Sequence, residues 1–272
     1  MAETTGNIDT RGTARLIRRL ARDDFKQKFA GSYLGVIWAF VQPVVTVLVY
    51  WFVFQKALHS GTQAARAGIE VPYVLWLIAG LVPWFYFSDA VNFGTRSLLD
   101  YSFLVKKVVF RIEVLPVVRV VSSLYVHAFF VAFMLVLYIL YGLYPSWHTL
   151  QILYYSFGMI LLCLGISYLT GAVAALFRDL TQVVSIILQV GIWFTPIMWN
   201  IKAMSFAKPL MAVLQINPMF YIVQGYRDAL IDQVWFWQRP LSTAVFWIEV
   251  AAVYLIGRTA FRRLRVHFAD VL

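Results

Sequence analysis

Charge is scarce in this sequence. Of 272 residues, only 13% are Asp, Glu, Lys or Arg, where a soluble globular domain carries about a quarter. No polar, patterned stretch exceeds about thirty residues, so no soluble domain fits inside the chain. A single cysteine, Cys163, excludes an intrachain disulfide and a cysteine metal cluster. The four histidines, His59, His127, His148 and His267, show no ligand spacing. There is no G-x-x-x-x-G-K-[ST], so the chain lacks the phosphate-cradling loop of an ATPase. H-E-x-x-H and G-x-S-x-G are also missing. No strong internal repeat and no low-complexity tract is visible. Met1 to Thr13 is polar without an apolar core, so it reads as neither a signal peptide nor a transit peptide.

What the chain has is hydrophobic length. Apolar side chains make up 61% of it and aromatic ones 17%. The pattern predicts an all-α, polytopic integral membrane protein with six spans, at residues 33–57, 72–91, 116–141, 150–176, 180–199 and 241–261. Each approaches or exceeds the roughly 20 apolar residues a crossing needs. Pro43 lies in the first span and Pro83 in the second; a bundle compensates the lost donor. In the fourth, Ser167, Gly171 and Ala175 are four apart, which suits close helix contact. Residues 200–240 break the pattern with Asn200, Lys202, Lys208-Pro209, Asn217-Pro218, Gly225 and Arg227-Asp228. Two apolar segments, 203–216 and 219–231, are too short to cross. They read as a re-entrant hairpin, a plug at one mouth of a pathway.

Residues 13–30 read as an amphipathic helix lying in the membrane interface. Arg15, Arg18, Arg19, Arg22 and Lys26 share one face; Ala14, Ile17, Leu20 and Ala21 share the other, with Phe25 at its edge. Asp24 and Lys28 interrupt the apolar face. The helix is a surface anchor, or its polar side also touches a cytoplasmic partner. A polar connector spans 92–115, and 95–105 is expected to form one short helix. With the N-terminus inside, sixteen Lys and Arg fall on the inner side and six on the outer. Positive charge sets orientation, so both termini are expected in the cytoplasm and the hairpin outside. The net charge of +10 then belongs to topology and anionic lipid rather than to nucleic acid.

Charges at membrane depth ask for a function. Glu249, about two turns into the last span, is a proton-relay group, or it pairs across helices or faces a wet cavity. Asp89 and Arg119 lie near cytoplasmic helix ends, and Arg119 is placed to snorkel. Arg227 either pairs locally with Asp228 or meets phosphate on a passing substrate. His127 is expected to make an interhelical hydrogen bond. Trp84-Phe85-Tyr86-Phe87 is an interfacial belt or a platform for sugars.

Four stretches carry a resemblance. They are Tyr33-Leu34-Gly35-Val36-Ile37-Trp38-Ala39-Phe40-Val41-Gln42-Pro43; Ala79-Gly80-Leu81-Val82-Pro83-Trp84-Phe85; Phe177-Arg178-Asp179; and Asn217-Pro218-Met219-Phe220-Tyr221 leading to Tyr226-Arg227. In these the chain resembles the ABC-2 type permeases that export lipid-linked polysaccharides. Tyr50-Trp51-Phe52-Val53-Phe54 with Val71-Pro72-Tyr73-Val74-Leu75-Trp76 looks most like teichoic-acid translocation permeases; O-antigen and capsule exporters are the alternative. One departure is Arg111, where such permeases often carry proline.

The resemblance implies a transport subunit of the bacterial plasma (inner) membrane, not an enzyme. It implies a homodimer bound to two copies of a cytoplasmic ABC ATPase. The chain holds no cofactor of its own, because ATP and Mg sit on that partner. The cargo is an undecaprenyl-diphosphate-linked glycopolymer, and membrane lipid surrounds the protein. Residues 1–32 become the cytoplasmic N-terminus with its interface helix, and 33–272 the transmembrane domain. Residues 92–115 become the coupling connector and 200–240 the outer gate. Coupling contacts are expected at Arg18, Arg22, Arg96, Leu98, Leu99 and Phe103. Aromatic faces attract sugar C–H surfaces weakly, which makes Trp38, Trp51, Trp76, Trp84, Tyr86, Trp193 and Trp199, with Arg227, candidates for the channel. Two other classes stay open: a proton-coupled secondary transporter built around Glu249, and a membrane enzyme such as a lipid-phosphate transferase.

Overall fold

A computed structural model of the chain describes residues 10–28, 33, 35–57, 59, 64–66, 68–105, 111–201 and 214–268. It is an all-α polytopic membrane protein. Among the described residues, five helical stretches are long and apolar enough to cross a bilayer: Gly35–Ala57, Tyr73–Thr95, Val114–Leu140, Trp147–Leu176 and Pro240–His267.

Helix α1 (Thr10–Gln27) lays Ile17, Leu20 and Ala21 on Val114, Val118 and Val121. Its basic face stays outward. Helix α2 (Trp38–Trp51) contains Pro43 and ends in a π-type turn, Phe52–Ala57. Most of its apolar surface is exposed, as at Val45, Leu48 and Phe52. Between the first two predicted spans lies a small antiparallel hairpin, β1 (Ala64–Arg66) with β2 (Ile69–Val71). Gly68, at φ +82, makes its turn, a conformation that costs glycine little. Arg66 ties the hairpin to the carbonyls of Leu230 (2.8 Å) and Tyr144 (2.9 Å).

Helix α3 (Tyr73–Thr95) is the centre of the bundle and is buried on nearly every side. Its sequence is apolar all round, as burial on every face requires. It runs a turn beyond the predicted span and then breaks. The single helix expected over 95–105 is instead two short pieces, α4 (Ser97–Asp100) and α5 (Ser102–Val105). Tertiary contacts override the local pattern here. Leu98 is fully buried against Leu115, Tyr168, Ala172 and Phe261, while Tyr101 turns its hydroxyl toward Asp24.

Helices α6 (Val114–Leu140) and α7 (Gln151–Leu176) pack on α3. The small-residue face of α7 works as expected: a Cβ on Gly171 would sit 3.1 Å from the carbonyl of Gly94 in α3. A second close approach is at Gly165, whose Cβ would meet the Tyr254 backbone at 2.8 Å. That contact seats α10 (Pro240–Leu264) on α7.

Helix α8 (Leu180–Phe194) corrects the fifth predicted span. It has 15 residues, about 22 Å at 1.5 Å per residue, and does not reach Trp199. Pro196 explains the stop, since the residue before proline is pushed to extended backbone; Thr195 has ψ 127. The second predicted hairpin segment is present as α9 (Pro218–Arg227), continued by a π-type turn, Asp228–Asp232. The Asn217 side chain caps it, accepting from the Met219 amide at 3.0 Å, with Pro218 at the first turn. The first segment, 203–216, lies outside the described residues except at 214–216.

Candidate functional site: a polar and aromatic cavity at membrane depth

Helices α2, α3, α6 and α8 line a cavity of about 670 Å³ that is open on one side, where Trp38 and Trp193 are about half exposed. Its polar lining includes Gln42 and Thr46 from α2, Asn92 from α3, His127 from α6, and Ser185 and Gln189 from α8. Such groups cannot face lipid without loss of hydrogen bonds, so they gather around shared space. Ser185 donates to Asn92 Oδ1 at 2.9 Å across the α3–α8 seam. His127 Nε2 lies 3.1 Å from the Tyr226 hydroxyl and 3.4 Å from Ser156 Oγ, the interhelical contact expected of it. One end of the cavity is framed by Lys28, whose Nζ is 3.0 Å from Asp89 Oδ2 and 3.6 Å from the Phe93 ring centre.

Four of the seven aromatic candidates line this cavity: Trp38, Trp84, Tyr86 and Trp193. Trp38 and Trp193 are about half exposed, whereas Trp84 and Tyr86 are nearly buried. The other three lie elsewhere. Trp76 is buried beneath Arg227. Trp51 faces Lys56 at 5.8 Å. Trp199 donates its indole N–H to the Trp193 carbonyl at 3.0 Å.

Arg227 departs from both roles expected of it. It is 4% exposed, and Asp228 is bound by Arg239 instead, through two contacts of 3.0 Å. Arg227 donates to the carbonyls of Pro196 (2.7 Å) and Ile197 (2.8 Å), and more weakly to Trp76 (3.4 Å). Its guanidinium lies 3.4 Å from the Trp76 ring centre, in space that Gly80 leaves free. The reason is the broken end of α8: unwound backbone at membrane depth needs donors. Tyr73 supplies another, to Met198 O at 2.7 Å, and Asn217 holds Thr195 Oγ1 at 3.0 Å. Arg227 therefore pins α9 to the break, and its donors are taken up there.

Glu249 lines a second cavity of about 300 Å³ between α9 and α10, with Gln224, Asp228 and Arg239. Glu249 therefore faces a cavity that holds a second acid, Asp228, which Arg239 binds. Among the described residues no ion pair to Glu249 is formed.

On the opposite side, Arg18 and Arg22 are exposed along α1, in a shallow groove with Arg15, Arg19 and Lys26. Arg96 is exposed, Leu99 half-buried and Phe103 58% exposed. Leu98 is the exception among these coupling candidates: its side chain belongs to the interior and offers nothing to a partner. Three charged residues given no coupling role from the sequence organise this region. Asp24 and Asp100 both pair with Arg119, at 2.7 and 2.6 Å. Arg119 does not snorkel. The signal was present, since Asp24 sits on the apolar face of an amphipathic helix and a charge there needs a buried partner.

Comparison with known proteins agrees with the fold. The chain is 27% identical over 260 residues to the O-antigen export system permease protein RfbA of Myxococcus xanthus, covering 94% of each. Two such proteins of Klebsiella pneumoniae are each 22% identical, covering 93% of each chain. Residues 15–231 match the family described as ABC-2 type transporter, a stretch that takes in most of α1, the central bundle, the broken end of α8 and α9 pinned to it; the chain belongs to the ABC-2 type transporter family.

Proposed function

We propose that this chain is the permease subunit of an ATP-driven exporter that moves a lipid-linked polysaccharide of the O-antigen type across the bacterial inner membrane. The observation that carries this is the aromatic and amide cavity between α2, α3, α6 and α8, in a chain of a transporter family whose full-length relatives are O-antigen permeases. A polymer of hydroxyls must slide, so no single contact holds it strongly. Tryptophan faces and side-chain amides offer many shallow ones. Wall teichoic acid is set aside as cargo, because the relatives favour O-antigen.

The mechanism needs a second copy of this chain and two copies of a cytoplasmic ABC ATPase that holds ATP and Mg. Trp38 of α2 and Trp193 of α8 line the cavity and are about half exposed, and the same two helices carry further exposed apolar side chains outside it, Leu48, Ile186 and Ile187 among them. A second copy placed there would close the cavity into a channel for a glycan on undecaprenyl diphosphate. ATP binding closes the partner's two copies and shifts the permease between two packings of similar energy. Both termini and the 92–115 connector face the cytoplasm; the 200–240 hairpin gates the outer side.

The test is reconstitution of the permease with its ATPase in proteoliposomes and measurement of ATP-dependent translocation of lipid-linked polysaccharide. Translocation that needs both proteins and ATP is expected. Translocation by the permease alone, driven by a proton gradient, would overturn the proposal.

A further inference from the structure

Three segments far apart in the sequence meet at one guanidinium. Arg119, one and a half turns into α6, donates to Asp24 of α1 at 2.7 Å and to Asp100 of α4 at 2.6 Å. Asp24 is 4% exposed and Arg119 8%. The Tyr101 hydroxyl donates to the same Asp24 oxygen that Arg119 holds. Burial, then the hydrogen bond to Asp24 and its charge, push the Tyr101 phenol up. Its ring lies 4.7 Å from the guanidinium carbon. Beside this centre runs the apolar seam of Ile17, Leu20 and Ala21 on Val114, Val118 and Val121.

The arrangement is over-determined. A planar guanidinium offers donors in fixed directions, so one Arg holds two carboxylates in register. Parting α1 from α6 would take buried Asp24 from its counter-charge, which is strongly unfavourable; α4 is held less by Asp100, whose side chain is 35% exposed, than by the buried Leu98 beside it. The other ion pairs of this end are looser. Asp89, with Lys28, is 45% exposed, and the Arg265–Glu113 pair is about half exposed on both sides. Water and salt screen these.

We infer that Arg119 is the pin of a rigid joint: with Asp24, Asp100 and Tyr101 it makes α1, the α4–α5 connector and the start of α6 move as one body. A push on the exposed part of α1 or on Phe103 then reaches the bundle through α6. Leu98, buried under the connector, adds a second rigid attachment, to α7 and α10. This rests on the ATP-driven reading for the source of the push, and Arg119 acts as a positioning residue that touches no cargo.

Two variants test it in the assembled permease–ATPase complex. Arg119→Gln leaves Asp24 without its counter-charge and is expected to lower the yield of complex; in the fraction that assembles with the ATPase, hydrolysis should stay near wild type while polysaccharide moved per ATP falls about tenfold or more, within the usual range of coupling effects. Arg119→Lys, a point charge without the fork, should fall between the two. Unchanged transport per ATP in Arg119→Gln would overturn the joint, as would loss of transport wholly accounted for by loss of assembled complex. The second variant leaves the ion centre intact. Ala21→Cys with Val118→Cys, in a Cys163→Ser background, permits α1 to be bridged to α6. If the two move as one body, bridging leaves transport per ATP unchanged. Transport that stops on bridging and returns on reduction would overturn the proposal. Dependence of the wild-type complex on the ATPase tests the function itself, so the two failures are distinguishable.

Discussion

Replacing Arg227 by Met separates a structural from a substrate-contacting arginine. The side chains are similar in length, but Met removes every donor. The two short bonds, to Pro196 O and Ile197 O, are charge-assisted and worth about 1.5–3 kcal/mol each. The stacking on Trp76 at 3.4 Å adds about 2 kcal/mol where water is excluded. Against this stands relief of the several kcal/mol that a buried guanidinium costs. The net loss expected is about 3 kcal/mol. At about 2–4 °C per kcal/mol for a chain of this size, the melting temperature should fall by roughly 6–12 °C. The assay is thermal unfolding of the detergent-purified variant, followed by tryptophan fluorescence, beside export in cells corrected for folded protein. Export and folded protein should decline together. A variant of wild-type stability that exports poorly would refute the structural role and return Arg227 to the cargo path.

Other expectations follow from burial. Trp193→Ala should leave stability within about 0.5 kcal/mol, as for exposed sites, yet slow export, because the ring is 54% exposed and lines the cavity. Trp84→Ala should instead cost about 3–5 kcal/mol, because its ring is buried and packs on Phe87; normal folded yield would contradict this. Gly165→Val should drive α7 from α10 at the Tyr254 backbone, at a cost of about 1–3 kcal/mol or more, read as lost monodisperse protein on size exclusion. Glu249→Gln should export at close to the wild-type rate and stay insensitive to an ionophore, since Glu249 forms no ion pair among the described residues and the drive is ATP; export abolished by that change alone would favour proton coupling, with Asp228 in the same cavity as the second acid.

Much of the fold was legible because hydrophobic length is a property of the chain itself. Apolar runs of bilayer length identified the long helices, and Asn217-Pro218 marked a helix start. The basic stripe of α1 and the small-residue face of α7 follow from helical spacing. Pro196 carried the signal that α8 stops early, but a run of apolar residues on both sides of it masked the break. For the candidate site, the sequence supplied the aromatic inventory without the selection. Trp38, Trp84, Tyr86 and Trp193 converge on one cavity while Trp51, Trp76 and Trp199 do not, because direction depends on how four helices are rotated against each other. Charge pairing is also a tertiary matter. Arg227 is adjacent to Asp228 in the chain, yet it binds the carbonyls of Pro196 and Ile197, and Asp228 takes Arg239. Asp24, Asp100 and Arg119 lie up to 95 positions apart, and only packing of α1 and the connector on α6 brings them together. Composition and period determine that a segment enters the membrane and which face it turns inward; which partner a buried charge meets there is decided by the three-dimensional packing, since a Coulomb interaction depends on distance in space and not on separation along the chain.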